Sequence, residues 1–298
     1  QTPFLAIFHS LFTRSHNGLA EKLGSLNRHW SEEKLFQEAR KINIAIYQNF
    51  IYDEWLELFL GSESLERIKN AEYNINVDGS TMNEFSNAAF RIFHAFIPTK
   101  FEIREGINLN FSDVLGKTEL LNYYEDLING MMNQKMSLIG YSNEVLNRMF
   151  KNYKNIGLDL LSMDIMRGRD HGIPSYYKYR KFCNVLPQNL KVFNDLAPTI
   201  SNKSIVQLRQ TYKTVYDIDL IVGGALESVE IKNQSNDKLG FFGPTLQCII
   251  TEQFYRLKAG DYYFYTHSSS FSQEQLNVIK NYSFANFLCE NSNSIEVK

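Results

Sequence analysis

The chain has 298 residues, 44% of them hydrophobic, and a formal net charge of −2. That is length enough to bury a sizeable core in one large domain or two small ones. The near-neutral balance gives no electrostatic footing for nucleic acid or an anionic membrane surface. No run of about 18 apolar residues offers a bilayer span, and three cysteines are too few for a disulfide scaffold and lack metal-site spacing.

The chain opens at Gln1 with no initiator methionine and no basic-then-apolar leader, and so reads as a processed product or a piece of a longer chain. Residues 3–25 read as a helix, with Leu5, Phe8, Phe12, Leu19 and Leu23 on one face. His9 and His16 lie seven apart, whereas a helical metal pair needs three or four, so both read as structural. Ser31 followed by Glu32 and Glu33 places a cap and two acids at the positive end of the next helix, whose seam is Leu35, Ala39, Ile42, Ile46 and Phe50. Glu54 to Gly61 reads as a short helix ending at glycine. Residues 62–80 are polar, with a turn at Asp78-Gly79.

Thr81 to Pro98, TMNEFSNAAFRIFHAFIP, reads as one helix. Thr81 and Glu84 form a capping box, Pro98 stops it, and Phe85, Ala89, Ile92 and Phe96 make its apolar stripe. Arg91 and His94, three apart, are neighbours on its surface. A loop follows Pro98. A helix starts near Thr118 and carries Leu120, Tyr124, Leu127 and Met131, and another runs from Ser142 through Leu146 and Met149. Leu158 to Pro174 holds two glycines and a proline among charges and reads as mostly loop. Pro174 suits the first position of a helix containing Tyr176, Tyr179 and Cys183, and Pro244 does the same for a helix ending at Gly260. Ser272 with Gln275 is a capping box, and Phe271 with Leu276 a staple. Only Leu220–Val222 and Tyr262–Tyr265 look strand-like. With no repeats, low-complexity tract or linker signal, the expectation is one mostly α domain, or most of one.

Several segments in order carry a family resemblance: LFTRSHNGLAEKLGSLNRHW, LFQEARKINIAIYQNFIYDEWL, AAFRIFH, MRGRDHGIPSYYKYRKFC, YDIDLIVGGALE and GPTLQCIITEQFYRLKAGDYYFY. Together they resemble the proximal side of the animal-type haem peroxidases, nearly end to end. The resemblance implies a multi-helix domain with little β structure, seen over residues 1–298 as the proximal portion. It also implies a haem b cofactor and an enzyme that reduces hydrogen peroxide at the expense of a small reducing donor, while charge and hydropathy give no nucleic acid and no membrane span as partners and the oligomeric state stays open. His94, the histidine of AAFRIFH, takes the place of the axial iron ligand. Asp164 takes the place of the residue that accepts from its second ring nitrogen, which fixes the tautomer and raises ligand basicity. Arg91 and Arg167 match the two arginines that approach the haem propionates. Read without the resemblance, His94 is a satisfied core residue, Asp164 a loop carboxylate paired with Arg167 or Arg169, and the arginines ordinary ion pairs. Asp170-His171 belongs to a structural loop in the family.

In a cytosolic protein Cys183, Cys248 and Cys289 would read as three buried thiols. The resemblance instead implies a Cys183–Cys248 disulfide, with the partner of Cys289 past Lys298. Sequons at Asn110, Asn202, Asn233 and Asn281 fit secretion. The family's distal histidine, catalytic arginine and calcium loop align upstream of Gln1, so no distal catalytic residue is assigned here, calcium goes with that upstream part, and the fragment alone is expected to turn over little. Departures from the pattern are Gln1 where many members have a haem-esterifying glutamate, Thr2 for a methionine, Ser15 for an acid, and Phe93 where glycine usually precedes the ligand. Phe93 and the absent distal half also leave room for a second reading, a catalytically inactive secreted adhesion or matrix-interaction protein.

Overall fold

The computed structural model describes residues 2–104, 106–136, 140–154, 156–228, 240–267 and 269–293. It is mostly helical, with one two-stranded sheet. Its contacts gather into two compact units, each assembled from separate stretches of chain. Among the described residues no helix is long and apolar enough to cross a membrane.

The first unit comprises Gln1–Glu54, Ala95–Asp159 and Phe264–Lys298. Its longest helix, Pro3–Leu26, begins where the Thr2 hydroxyl accepts from the Leu5 amide (3.3 Å) and proline fills the first turn. Phe4, Ile7 and Leu11 supply its buried face. It packs on Glu32–Asn49, which starts at the Ser31 cap followed by its two acids. Asn43 joins the pair by accepting from the Ser15 hydroxyl (3.0 Å) and donating to the Phe12 carbonyl (3.1 Å). The C-terminal helix Phe284–Asn291 adds Phe287, whose ring lies 4.7 Å from Phe12 and 5.4 Å from Phe50.

The stretch after Pro98 is an antiparallel hairpin, Lys100–Arg104 with Ile107–Asn110, and not a loop. The helix Tyr124–Asn133 lies against its first strand, and Gly130 permits the approach: a Cβ there would stand 2.3 Å from the Glu102 carbonyl oxygen.

The second unit comprises Trp55–His94 and Leu160–Tyr263. Ser62–Lys69 is a helix within the stretch read only as polar, and the short helix placed at Glu54–Gly61 is a π-helical segment, Phe50–Trp55, running into Leu56–Phe59. Ser62–Lys69 packs on Pro244–Ala259, which has proline in its first turn and Gly260 at its end. The helix assigned to Pro174 starts two residues later, Tyr176–Phe182 with Ser175 as the cap position and Cys183 just past its end.

Leu220–Leu226 is a helix and not a strand. Its β-branched run imitates one, but tertiary packing decides: a Cβ on Gly223 would meet the Tyr176 ring at 2.2 Å, and one on Gly224 the Leu246 side chain at 2.6 Å. Tyr262–Tyr265 forms turns. Tyr176 opens a core continued by Leu190, Phe193, Leu196, Ile200 and Ile205. Beside it the fully buried Arg180 donates to the Tyr176 hydroxyl (2.9 Å) and the Thr199 hydroxyl (2.6 Å). Tyr176 donates in turn to Glu227 (2.6 Å), which also accepts from the Thr245 amide and hydroxyl (2.7 and 2.6 Å). Every member of this knot is paired, which is what keeps a buried ion pair from being a liability. Cys183 and Cys248 are disulfide-bonded, with Cα atoms 6.0 Å apart, and Cys289 is exposed and forms no disulfide among the described residues.

Candidate functional site

The segment carrying His94 is not the single helix that its periodicity predicts. A short helix, Asn83–Asn87, is followed by a break at Ala88 (φ −139°, ψ −70°) and then by a 3₁₀ segment, Ala89–Phe96. The helix does not start at Thr81, because Gln253 holds its approach extended. Gln253 accepts from the Met82 amide (2.6 Å) and donates to the Ser80 carbonyl (3.2 Å). Its end is set by Asn87, whose side chain donates to the Asn83 carbonyl and side-chain oxygens (3.2 and 2.8 Å) in competition with the backbone ladder.

The 3₁₀ winding sorts the side chains after Ala88 onto three faces. With about three residues per turn, positions three apart eclipse one another. Ala89 and Ile92 are therefore both buried. Phe90 and Phe93 share a second face, with ring centroids 5.0 Å apart. Arg91 and His94 share the third, and both reach the same carboxylate. Phe93, the departure beside the ligand position, sits among Trp55, Phe59 and Phe242 (5.4, 5.0 and 5.4 Å between centroids). Its bulk is housed in an aromatic cluster on a face other than that of the imidazole.

The carboxylate is Asp164. The stretch around it is a helix, Leu160–Asp170, and not a loop. Gly168 is tolerated within it, and Gly172 (φ +66°) closes it: the Ile173 amide donates to the Gly168 carbonyl (2.9 Å) and the Gly172 amide to that of Arg169 (3.1 Å). Asp164 is the one fully buried side chain of this helix among the described residues, at 1% exposure. One carboxylate oxygen accepts from His94 Nδ1 at 2.6 Å, and the other faces Arg91 at 3.7 Å. Asn83 anchors the end of the helix by donating to the His171 carbonyl (3.0 Å).

With Nδ1 donating to Asp164, the neutral imidazole presents the Nε2 lone pair, and Nε2 has no hydrogen-bond partner among the described residues. The His94 side chain is 26% exposed, so that nitrogen is reachable. Arg91 Nε is buried without a partner, a donor that fits an anionic group supplied from outside the described residues. Arg167 lies on the helix of Asp164, one turn on, exposed and without an ion pair among the described residues, so it is not part of the Asp164 contacts. Arg169 pairs with Asp219 through two bonds (2.9 and 2.6 Å), which excludes it as the partner of Asp164. Among the described residues there is no cluster of three His, Cys, Asp or Glu side chains that could hold a metal ion. Gln1 and the Asn233 sequon lie outside the described residues.

All of the chain, residues 1–298, matches the animal haem peroxidase family. The chain belongs to that family. It is 36% identical to a Drosophila melanogaster peroxidase over 99% of its own length and 45% of that protein, and 36% identical to a peroxidasin homologue of Caenorhabditis briggsae over 98% of its own length and 23% of that protein. Among solved structures it resembles Peroxidase A of Dictyostelium discoideum with a TM-score of 0.79 and 28% identity, over 98% of this chain and 56% of that one. The chain thus spans less than half the length of these curated relatives. Sequence reading of the animal peroxidase motifs singled out His94, Arg91 and Asp164, which the structure brings together. It missed Asn83, Asn87 and Gln253, the residues that set the path of the 3₁₀ segment, because polar side chains bonding to distant backbone leave no local pattern.

Proposed function

We propose that this chain carries the axial-ligand side of a secreted haem peroxidase, which reduces hydrogen peroxide while oxidising a small donor. The observation supporting this best is the His94–Asp164 pair: a buried carboxylate 2.6 Å from Nδ1 directs the opposite nitrogen outward as a metal ligand. Haem, when bound, supplies the redox-active iron at which peroxide is cleaved. The chain's own residues then have distinct tasks. His94 would hold the iron through the ring nitrogen that faces away from Asp164. Asp164 keeps the Nδ1 proton in place and, being charged, makes the imidazole a stronger donor than a neutral acceptor would. Arg91, with its unpartnered Nε, and the exposed Arg167 offer guanidinium groups to the cofactor's carboxylates.

Secretion is supported by the Cys183–Cys248 disulfide, since such bonds persist in oxidising compartments. The accommodation of Phe93 in its own aromatic cluster removes one motive for the inactive adhesion reading. Titration of the chain with haem, followed by absorbance, tests the proposal. His94→Ala should abolish the native axial signature and most binding, and should also lower the melt of the haem-free chain because the buried Asp164 carboxylate loses its donor. Unaltered binding and spectrum in that variant would overturn the assignment.

A further inference from the structure

The second unit carries a cluster of phenols that the haem assignment does not use. Tyr73, Tyr262 and Tyr263 are 38%, 56% and 78% exposed. Ring centroids of Tyr73 and Tyr262 stand 5.2 Å apart at 77°, and those of Tyr262 and Tyr263 5.2 Å apart at 87°. None of the three hydroxyls has a hydrogen-bond partner among the described residues. The segments bearing them are pinned together: the Asn74 amide donates to the Ala259 carbonyl (2.8 Å), and a Cβ on Gly260 would stand 2.6 Å from the Gly79 amide nitrogen. The Asp261 carboxylate accepts from the Tyr263 amide (2.8 Å), which holds the turn that presents both rings.

We propose that this cluster is a site of oxidative modification, at which a diffusible one-electron oxidant closes a covalent dityrosine between Tyr73 and Tyr262. Each phenol gives one electron to the oxidant and its hydroxyl proton to water. The two phenoxyl radicals join through ring carbons ortho to oxygen, and the protons on those carbons return to oxygen as both phenols re-form. The net change is one new C–C bond and the loss of two hydrogens, taken up by two equivalents of oxidant.

Geometry selects this pair over the alternatives. The edge of one ring already faces the other, and exposed side chains change rotamer in picoseconds to nanoseconds, so the ortho carbons can meet without backbone movement. Tyr262 and Tyr263 are consecutive, and joining their rings would close a small strained cycle. Tyr255 lines the same surface, but the Arg67 guanidinium sits 4.6 Å over its ring and withdraws electron density from it. The other separated phenol pair among the described ring contacts, Tyr177 with Tyr216 at 4.9 Å, is immobilised, since Tyr177 packs on the core and the Tyr216 hydroxyl donates to the Leu190 carbonyl (2.8 Å). Tyr153 is 89% exposed and has no phenol beside it among the described ring contacts, so it reports what exposure alone does.

The test treats the whole chain at low concentration with photogenerated tris(bipyridyl)ruthenium(III), followed by digestion and mass spectrometry. The expected product is an intramolecular pair of peptides, one containing Tyr73 and the other Tyr262, two hydrogens lighter than their sum. Tyr73→Phe and Tyr262→Phe should each abolish it, and Tyr263→Phe should leave it in place. All three variants should keep the circular dichroism of the parent. Absence of that linked pair from the treated parent, a link at Tyr177–Tyr216 or covalent dimers through Tyr153 in its place, or the same two peptides still linked in Tyr73→Phe would each overturn the proposal.

Discussion

Asp164→Asn isolates the charge of the buried carboxylate from its shape. Asparagine keeps an oxygen that can accept from His94 Nδ1, so the tautomer is retained, but the 2.6 Å contact becomes a bond between neutral groups. Bonds to charged groups contribute about 1.5–3 kcal/mol and neutral ones about 0.5–1.5, so roughly 1 kcal/mol of orientation energy is lost. The 3.7 Å pairing with Arg91 is lost as well, but that side chain is 29% exposed, so solvent screening leaves its contribution small. Removing the partner of a metal-bound histidine typically costs about 10- to 100-fold in affinity. Haem binding to Asp164→Asn should therefore weaken at the lower end of that range. Asp164→Ala, which also frees the tautomer, should weaken it at the upper end. Absorbance titration measures the affinities, and ¹⁵N spectra of the His94 ring report the tautomer without haem. Equal affinity in all three proteins, or a ring in the parent protonated at Nε2, would refute the reasoning.

Cys183→Ser should remove roughly 4 kcal/mol of stability through the denatured chain, read as a fall in denaturant midpoint, and the parent should titrate with one accessible thiol, Cys289. Gly223→Ala places a methyl group 2.2 Å from the Tyr176 ring and should destabilise by about 1–3 kcal/mol or more, seen as a lowered melting temperature; an unchanged melt would contradict the packing described. The hydrogen bond from Lys151 holds the Asp113 carboxyl below its usual range. Its folded pKa is depressed, so its stabilisation is present above the unfolded value near 3.8 and is lost as pH falls through the folded value. Lys151→Met should flatten that part of the acid-unfolding curve, and an unaltered curve would exclude the pair as a contributor.

Elements with local signals were legible in the sequence. Ser31 with its acids, Pro244 with Gly260, and Ser272 with Gln275 all mark helix ends in the structure as the sequence predicts. The misreadings have tertiary causes. The extended approach to Asn83 depends on Gln253, 171 positions from the Met82 amide it holds, and no periodicity encodes so distant a contact. The Leu160–Asp170 helix was hidden by glycines, although Arg167 and Arg169 before Gly172 are the basic last turn and left-handed cap of a helix end. The hairpin at Lys100–Asn110 was masked by charges between its apolar positions. At the candidate site the residues of the motif were legible, but the 3₁₀ winding that brings two of them to one carboxylate was not.

That winding makes the segment behave like a reading frame. Each residue advances the helix by about a third of a turn, so identity along Ala89–His94 is assigned modulo three: buried, aromatic, polar. Exchanges within a class, such as one aromatic ring for another at position 90 or 93, leave the frame intact. Insertion or deletion of a single residue after Ala88 would not merely shift His94 along the axis but transfer it to another class: a deletion puts the imidazole among the rings, and an insertion puts it on the buried face with Phe93 against Asp164. Loss of three residues together would restore the phase while shortening the segment by one turn. In this stretch, length is under tighter constraint than composition.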